Sequence, residues 1–244
     1  MAIGPDRSTV YTRDTTRVAI DEGLRSYMLR VYNYMSLGVA FTAAVTMIVA
    51  MNPAIVMALA GGGFWILFIG ILGLGFFAPR IMMTRSVGAA QACFWVYAAM
   101  WGVLMGPMIF AFANIPNGPM LIGQAFFITA GVFAGMSLLG YTTKKNLSGM
   151  GTFFMMAAIG FALAIVVNIF IGSTLFSLLI SIGVVLVFAG LTAYETQQIK
   201  NMYYQTDGHD VVTRKAIFGA FLLYGAFVTM FIHILNILGI MNQE

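Results

Sequence analysis

The sequence predicts an all-α fold: a polytopic membrane protein with seven transmembrane helices. Three observations lead there. First, 61% of the 244 residues are hydrophobic and only 8% are charged, with a mean hydropathy of +0.93. A soluble domain carries about 25% charged residues, so a water-soluble enzyme could not cover its surface with this supply. Second, the chain holds seven runs near the roughly 20 apolar residues that cross about 30 Å of hydrocarbon. Third, every one of its 12 Lys and Arg residues lies ahead of the first run or in every second connection.

The runs are 31–51, 54–77, 87–113, 120–141, 150–170, 173–194 and 216–240. Turn chemistry separates them: Asn52-Pro53, Ala78-Pro79-Arg80, Asn114 to Pro119, Lys144 to Gly149 and Gly172-Ser173. Residues 1–30 form a separate N-terminal segment and 31–244 the membrane domain. That segment lacks the short apolar region and small-residue cleavage site of a signal peptide. Its stretch from Asp14 to Arg30 sets Val18, Ile20, Leu24, Tyr27 and Met28 among charges, which suits a helix on the inner membrane surface leading into span one. A disordered tail as far as about Ile20 is the alternative.

The basic residues set the sidedness. Arg7, Arg13, Arg17, Arg25 and Arg30 precede span one. Arg80 and Arg85 follow span two, Lys144 and Lys145 span four, and Lys200, Arg214 and Lys215 span six. The expectation is seven spans with the N-terminus in the cytoplasm and the C-terminus outside. An even span count would spoil this partition. The net charge of +4 resides in those connections, not on a groove or stripe, so nucleic acid is not the expected partner.

Few residues could carry chemistry. The lone Cys93 makes no disulfide, and His209 and His233 leave little for an imidazole metal site. Gly61-Gly62-Gly63 lacks the Lys-Ser/Thr sequel of a phosphate loop. A serine protease would need Ser148 to meet His233, the only span histidine, and a zinc protease would need a second histidine at helical spacing. No enzyme is expected. The pairs Gly102/Gly106 and Gly131/Gly135 have the small-residue spacing that lets helix backbones approach. Glu195 is the one acid at or near membrane depth, at the end of span six. An ionised acid at mid-helix costs roughly 2.5–3.5 kcal/mol on insertion scales, so it normally faces protein or water; the alternative is an interfacial residue marking the helix end. In span seven, Gly219, Leu222, Ala226, Thr229 and His233 share one face, with Asn236 at its edge. A small and polar face turns toward protein in a bilayer. Span seven is therefore the candidate central helix, its Phe221–Val228–Ile232 side being the more lipid-exposed. His233 reads first as an intramembrane histidine bonded to a neighbouring helix.

Several strings together resemble the Bax inhibitor-1 family, in its bacterial branch. They are Ile20-Asp21-Glu22-Gly23-Leu24-Arg25, the run from Gly140 to Ser148, Asn168-Ile169-Phe170, and above all Thr192-Ala193-Tyr194-Glu195-Thr196-Gln197-Gln198-Ile199-Lys200. The resemblance covers all seven spans. It implies six helices around a central seventh and a pH-sensitive, passive leak of calcium or other cations. It also implies two aspartates, on spans six and seven, sharing a proton near the cytoplasmic mouth, because two close carboxyls cannot both ionise cheaply. An arginine near span two would latch onto them; here that is Arg80 or Arg85. The chain departs from the pattern at both acids. Glu195 is one methylene longer than aspartate. Leu223-Tyr224-Gly225-Ala226-Phe227-Val228-Thr229 places Ala226 where the second acid would be and Thr229 where the family often has asparagine. The implied ion pathway therefore consists of Glu195, the Ala226 position, Tyr224, Thr229 and His233. Calcium takes six to eight oxygen ligands, so weak calcium binding and weakened pH gating are expected, with no cofactor. The alternative is a non-conducting factor that binds or regulates other membrane proteins or a membrane-bound protease. Oligomeric state is not encoded legibly.

Overall fold

The computed structural model describes residues 7–242, with side chains from residue 22 onward. All its regular structure is helical, and seven helical segments are long and apolar enough to cross a membrane. The first, α1 (Arg7–Ala50), has 44 residues, about 66 Å at 1.5 Å per residue. It runs without a break through Arg30 and Val31. Tyr27, Met28 and Val31 are buried on the bundle, and Tyr27 packs on the Tyr203 ring. From Glu22 onward this is thus a continuation of span one held by protein. The expected apolar partners Val18 and Ile20 have side chains outside the described residues.

The second crossing is α2 (Pro53–Ala58), a π-helical turn (Leu59–Gly63) and α3 (Phe64–Thr84). Asn52 accepts from the Ala54 and Ile55 N–H groups, and Pro53 begins the helix, where its missing N–H costs nothing. Gly62 adopts φ +128°, a conformation open to glycine. The expected break at Ala78-Pro79-Arg80 is absent, because α3 continues through Pro79 for another turn. Its free end carbonyls are met from another helix: Arg214 donates to the Met83 and Arg85 carbonyls, both at 2.9 Å. The remaining spans are α4 (Val87–Ala113), α5 (Gly118–Thr142), α6 (Ser148–Ile171), α7 (Thr174–Asn201) and α8 (His209–Met241). Span six runs on to Asn201, so Glu195 sits inside a helix and does not end one.

The last helix, α8, is central. It packs on α1, α3, α4, α5 and α7, and 67% of its most apolar stretch is buried, against 6% for α6. The expected ring of six is a ring of five, because α6 packs on α7 alone. The helices form two groups, α1–α3–α4 and α5–α6–α7. Their backbones approach each other only between α4 and α5 and between α1 and α7, while the Tyr32–Ser137 hydrogen bond reaches from α1 to α5; α8 lies between the groups. Two seams follow: the α1 and α5 backbones stay apart, bridged by side chains, and α3 does not approach α7. The expected sidedness of α8 holds only in part: Gly219 and Ala226 are buried, but so are Phe221 and Val228 of the other side, while Thr229, His233 and Asn236 are half-buried, as is Ile232.

Glycine spacing divides likewise. Gly102 and Gly106 do seat α4 on α1: a Cβ on Gly102 would lie 2.7 Å from the Val45 Cβ, and one on Gly106 2.2 Å from a Val49 methyl. Gly131 and Gly135 pack against nothing and are exposed. The spacing reveals the small stripe but not which way it faces.

The described basic residues gather at one end of the bundle. There Arg30 donates to the Thr213 hydroxyl at 3.0 Å, Lys200 to the Tyr141 carbonyl at 2.8 Å, and Lys215 pairs with Asp207. Asn242 reaches the Pro116 carbonyl at the opposite end.

Candidate functional site

Glu195 shares a face of α7 with Ser177, Ser181, Val184, Phe188 and Ile199, at intervals of three, four or seven residues. That face looks toward α8. Ile199 fills the space left by Gly219, with its methyl 2.9 Å from where a Cβ would stand, and Ser181 meets His233. The antiparallel register sets Glu195 opposite the turn from Leu222 to Ala226. Glu195 is half-buried, yet its Oε2 is shielded and has no hydrogen-bond partner among the described residues. A shielded carboxylate oxygen without a donor is costly; Tyr27, Trp101 and Asn168 hold the other shielded side-chain atoms without a partner among the described residues. Ala226 is 2% exposed and offers it nothing.

The other expected residues separate into distinct places. His233 Nδ1 lies 3.1 Å from the Ser181 hydroxyl, and Asn236 donates to Ser177 at 3.0 Å and Ser181 at 2.9 Å. This cluster occupies the half of the α7–α8 seam away from the basic end. Thr229 returns its proton to the Gly225 carbonyl of its own helix. Tyr224 stands on the opposite side of α8, fully buried against Phe94 and Tyr97, with its hydroxyl 2.7 Å from Thr42. Tyr224 therefore does not share a site with Glu195. Arg80 and Arg85 are exposed, form no ion pair with Glu195 among the described residues, and belong to helix ends that do not pack on α7.

Sequence reading missed a chain of hydroxyls beside Glu195. Tyr32 on α1 lies 2.6 Å from Ser137 on α5, which lies 3.0 Å from Thr196 on α7. Isolated serines and threonines in apolar runs give no signal until the helices are assembled. The Thr196–Lys200 string acquires a physical meaning here. Thr196 holds α5. Gln197 accepts from the Leu147 N–H and donates to the Lys145 carbonyl, both at 2.8 Å. Gln198 donates to Ser148, and Lys200 caps the Tyr141 carbonyl. These four residues thus staple α5, its following loop and α6 onto α7 next to Glu195 in the chain.

The family model for the inhibitor of apoptosis-promoting Bax1 matches residues 24–243. The chain belongs to the Bax inhibitor-1 family. An uncharacterized protein of Rickettsia prowazekii is 35% identical over 236 residues, covering 96% of this chain and 98% of that one. An uncharacterized protein of Deinococcus radiodurans is 36% identical, covering 91% and 94%. The inner membrane protein YbhL of Escherichia coli is 34% identical, covering 94% and 97%. The strings quoted for the family lie inside the matched region, apart from the residues before Leu24.

For this Bax inhibitor-1 family member, hydrolytic chemistry finds no geometry at these positions. Ser148 bonds Gln198 at the basic end, far along the bundle from His233. Ser181 does meet His233, but it lies inside α7, where the surrounding N–H groups serve the helix ladder and none is free to hold an oxyanion. Among the described residues no group of three His, Cys, Asp or Glu side chains converges to hold a metal.

Proposed function

We propose that this integral membrane protein is a passive cation leak, calcium included, of the bacterial inner membrane. The relative YbhL carries the inner-membrane name. The observation that carries the reading is Glu195: a carboxylate toward the basic end of the bundle, on the face turned to the central helix, its Oε2 shielded and without a partner among the described residues. A cation passing the α7–α8 seam supplies what that oxygen lacks. The hydroxyls of Thr196, Ser137 and Tyr32 stand beside it. With Ala226 in place of a second acid, the site holds calcium weakly and has no partner with which to share a proton. Gating by pH is therefore shallow, and Arg80 or Arg85 latches only after a rearrangement that brings the end of α3 to α7. The sidedness follows the basic end, with the N-terminus cytoplasmic and the C-terminus periplasmic.

Proteoliposomes loaded with a calcium dye test this. Native protein should show flux above empty vesicles, and Glu195→Gln should remove it while leaving the fold intact. Equal flux in both proteins would refute the role of Glu195.

One observation favours a second reading, a non-conducting factor for other membrane proteins or a membrane protease. Helix α6 is attached through α7 alone and leaves most of its surface outward, with Phe153, Met156, Leu163 and Phe170 exposed. No flux at any pH, together with crosslinking of α6 positions to a second protein in native membranes, would favour it.

A further inference from the structure

The seam between α1 and α5 forms a groove along the bundle. On α1 the residues Arg25, Leu29, Tyr32, Val39, Thr42 and Thr46 fall on one stripe that lines it. Facing them on α5 are Gly123, Phe126, Phe133, Ala134 and Leu138. Two cavities open along it. The one farther from the basic end has a volume of about 250 Å³ and is backed by Phe227 and Phe231 of α8. Its only lining hydroxyls, Thr42 and Thr46, already donate to or pair with protein groups: Thr42 with the Ala98 carbonyl and Tyr224, Thr46 with the Gly102 carbonyl. A polar occupant would find no partner there, whereas an apolar chain would lose nothing.

The cavity nearer the basic end, about 550 Å³, has different chemistry. Arg25, Tyr32 and Tyr141 line it, and the Lys200 ammonium stands 5.0 Å from the centre of the Tyr141 ring. The other described charge on that turn of α1, Glu22, is exposed and does not line the cavity. Tyr32 is joined to buried Ser137, so that pair forms the inner wall and the outer side stays open. From Tyr32 to Thr42 is ten residues of helix, about 15 Å and half the hydrocarbon thickness. A positive and phenolic end followed by one leaflet's depth of apolar wall matches a phospholipid, head to tail.

We propose that the α1–α5 groove binds one anionic phospholipid of the leaflet on the basic side. Its phosphate sits at Arg25 and Tyr141, and one acyl chain runs up the groove toward Thr42 and Phe231. The lipid fills the seam that the two helix groups leave open and sets their spacing beside the Tyr32–Ser137–Thr196 chain.

Native mass spectrometry of the full chain in detergent tests this by titration with phosphatidylglycerol or phosphatidylcholine. The native protein should retain one phosphatidylglycerol in preference to phosphatidylcholine. Arg25→Ala should weaken phosphatidylglycerol about fivefold, the usual effect of one cationic residue near an anionic lipid, and leave phosphatidylcholine unchanged. Gly123→Phe and Ala134→Phe each place a ring in the groove without displacing protein: a Cβ at Gly123 would meet nothing within 4 Å, and Ala134 is exposed. Either should abolish retention of both lipids. Retention that survives both ring substitutions, or a preference untouched by Arg25→Ala, overturns the proposal. So does competition by free glycerol phosphate as strong as by the lipid, since the groove would then contribute nothing.

Discussion

Gly140→Ala tests how the carboxylate site is held. A Cβ at Gly140 would stand 2.2 Å from the Ala193 carbonyl oxygen and 2.9 Å from that residue's C and Cα atoms. All three are backbone atoms, so no side chain can rotate aside. Ordinary contact begins near 3.4 Å, so α5 and α7 must part by about 1.2 Å. One turn away, the Ser137–Thr196 bond of 3.0 Å would open beyond hydrogen-bond range. Overpacking costs about 1–3 kcal/mol and a lost interhelical bond about 0.6 kcal/mol in a membrane, so the sum is about 1.6–3.6 kcal/mol. The assay is unfolding by dodecyl sulfate in mixed micelles, followed by far-UV circular dichroism. Gly131→Ala on the same helix is the control, because its Cβ would enter open space. It should be neutral or slightly stabilising, as alanine is the better helix former. If Gly140→Ala falls within about 0.5 kcal/mol of Gly131→Ala, the range of an ordinary surface change, the α5–α7 contact is not the close approach described.

Flux between pH 6 and 8 should vary little in the native protein; Ala226→Asp should steepen it, since the new pair shares one proton at low pH and repels itself once that proton leaves, and adding Glu195→Gln should cancel the gain. Steep native gating in that range would show that the switch needs no second acid at position 226. A reporter fused at Met1 should behave as cytoplasmic and one fused after Glu244 as periplasmic; both on one side would refute the seven-span sidedness. Gly62→Ala should destabilise the second crossing by about 1–3 kcal/mol, because φ +128° strains any side chain, and an unchanged dodecyl sulfate midpoint would place the kink elsewhere.

Hydropathy found all seven spans, and α4 matches its expected limits of 87 and 113. It failed where the helix and the bilayer end at different places. Beyond Tyr194 the residues turn polar, but α7 continues because Gln197, Gln198 and Lys200 bond neighbouring elements. Pro79 looked like a terminator, yet a membrane helix tolerates proline, and Arg214, more than 130 residues along the chain, satisfies the carbonyls at its end. That Glu195 is shielded by protein was legible from the cost of an acid among apolar residues. Its company was not: Ser137, Thr196 and Tyr32 are ordinary residues until three helices bring their hydroxyls together. The outward face of Gly131 and Gly135 was equally hidden, since spacing gives a stripe without a direction.

The helix at the middle of this bundle is also the last of the seven spans to leave the ribosome. Until α8 arrives, α1 to α4 and α5 to α7 are two clusters with little direct contact, and Ser177 and Ser181 lack their partners His233 and Asn236. Arrival of the seventh span and assembly of the bundle therefore coincide. A chain cut before His209 would carry bare hydroxyls in lipid, a mark by which membrane quality control could tell an unfinished copy from a finished one.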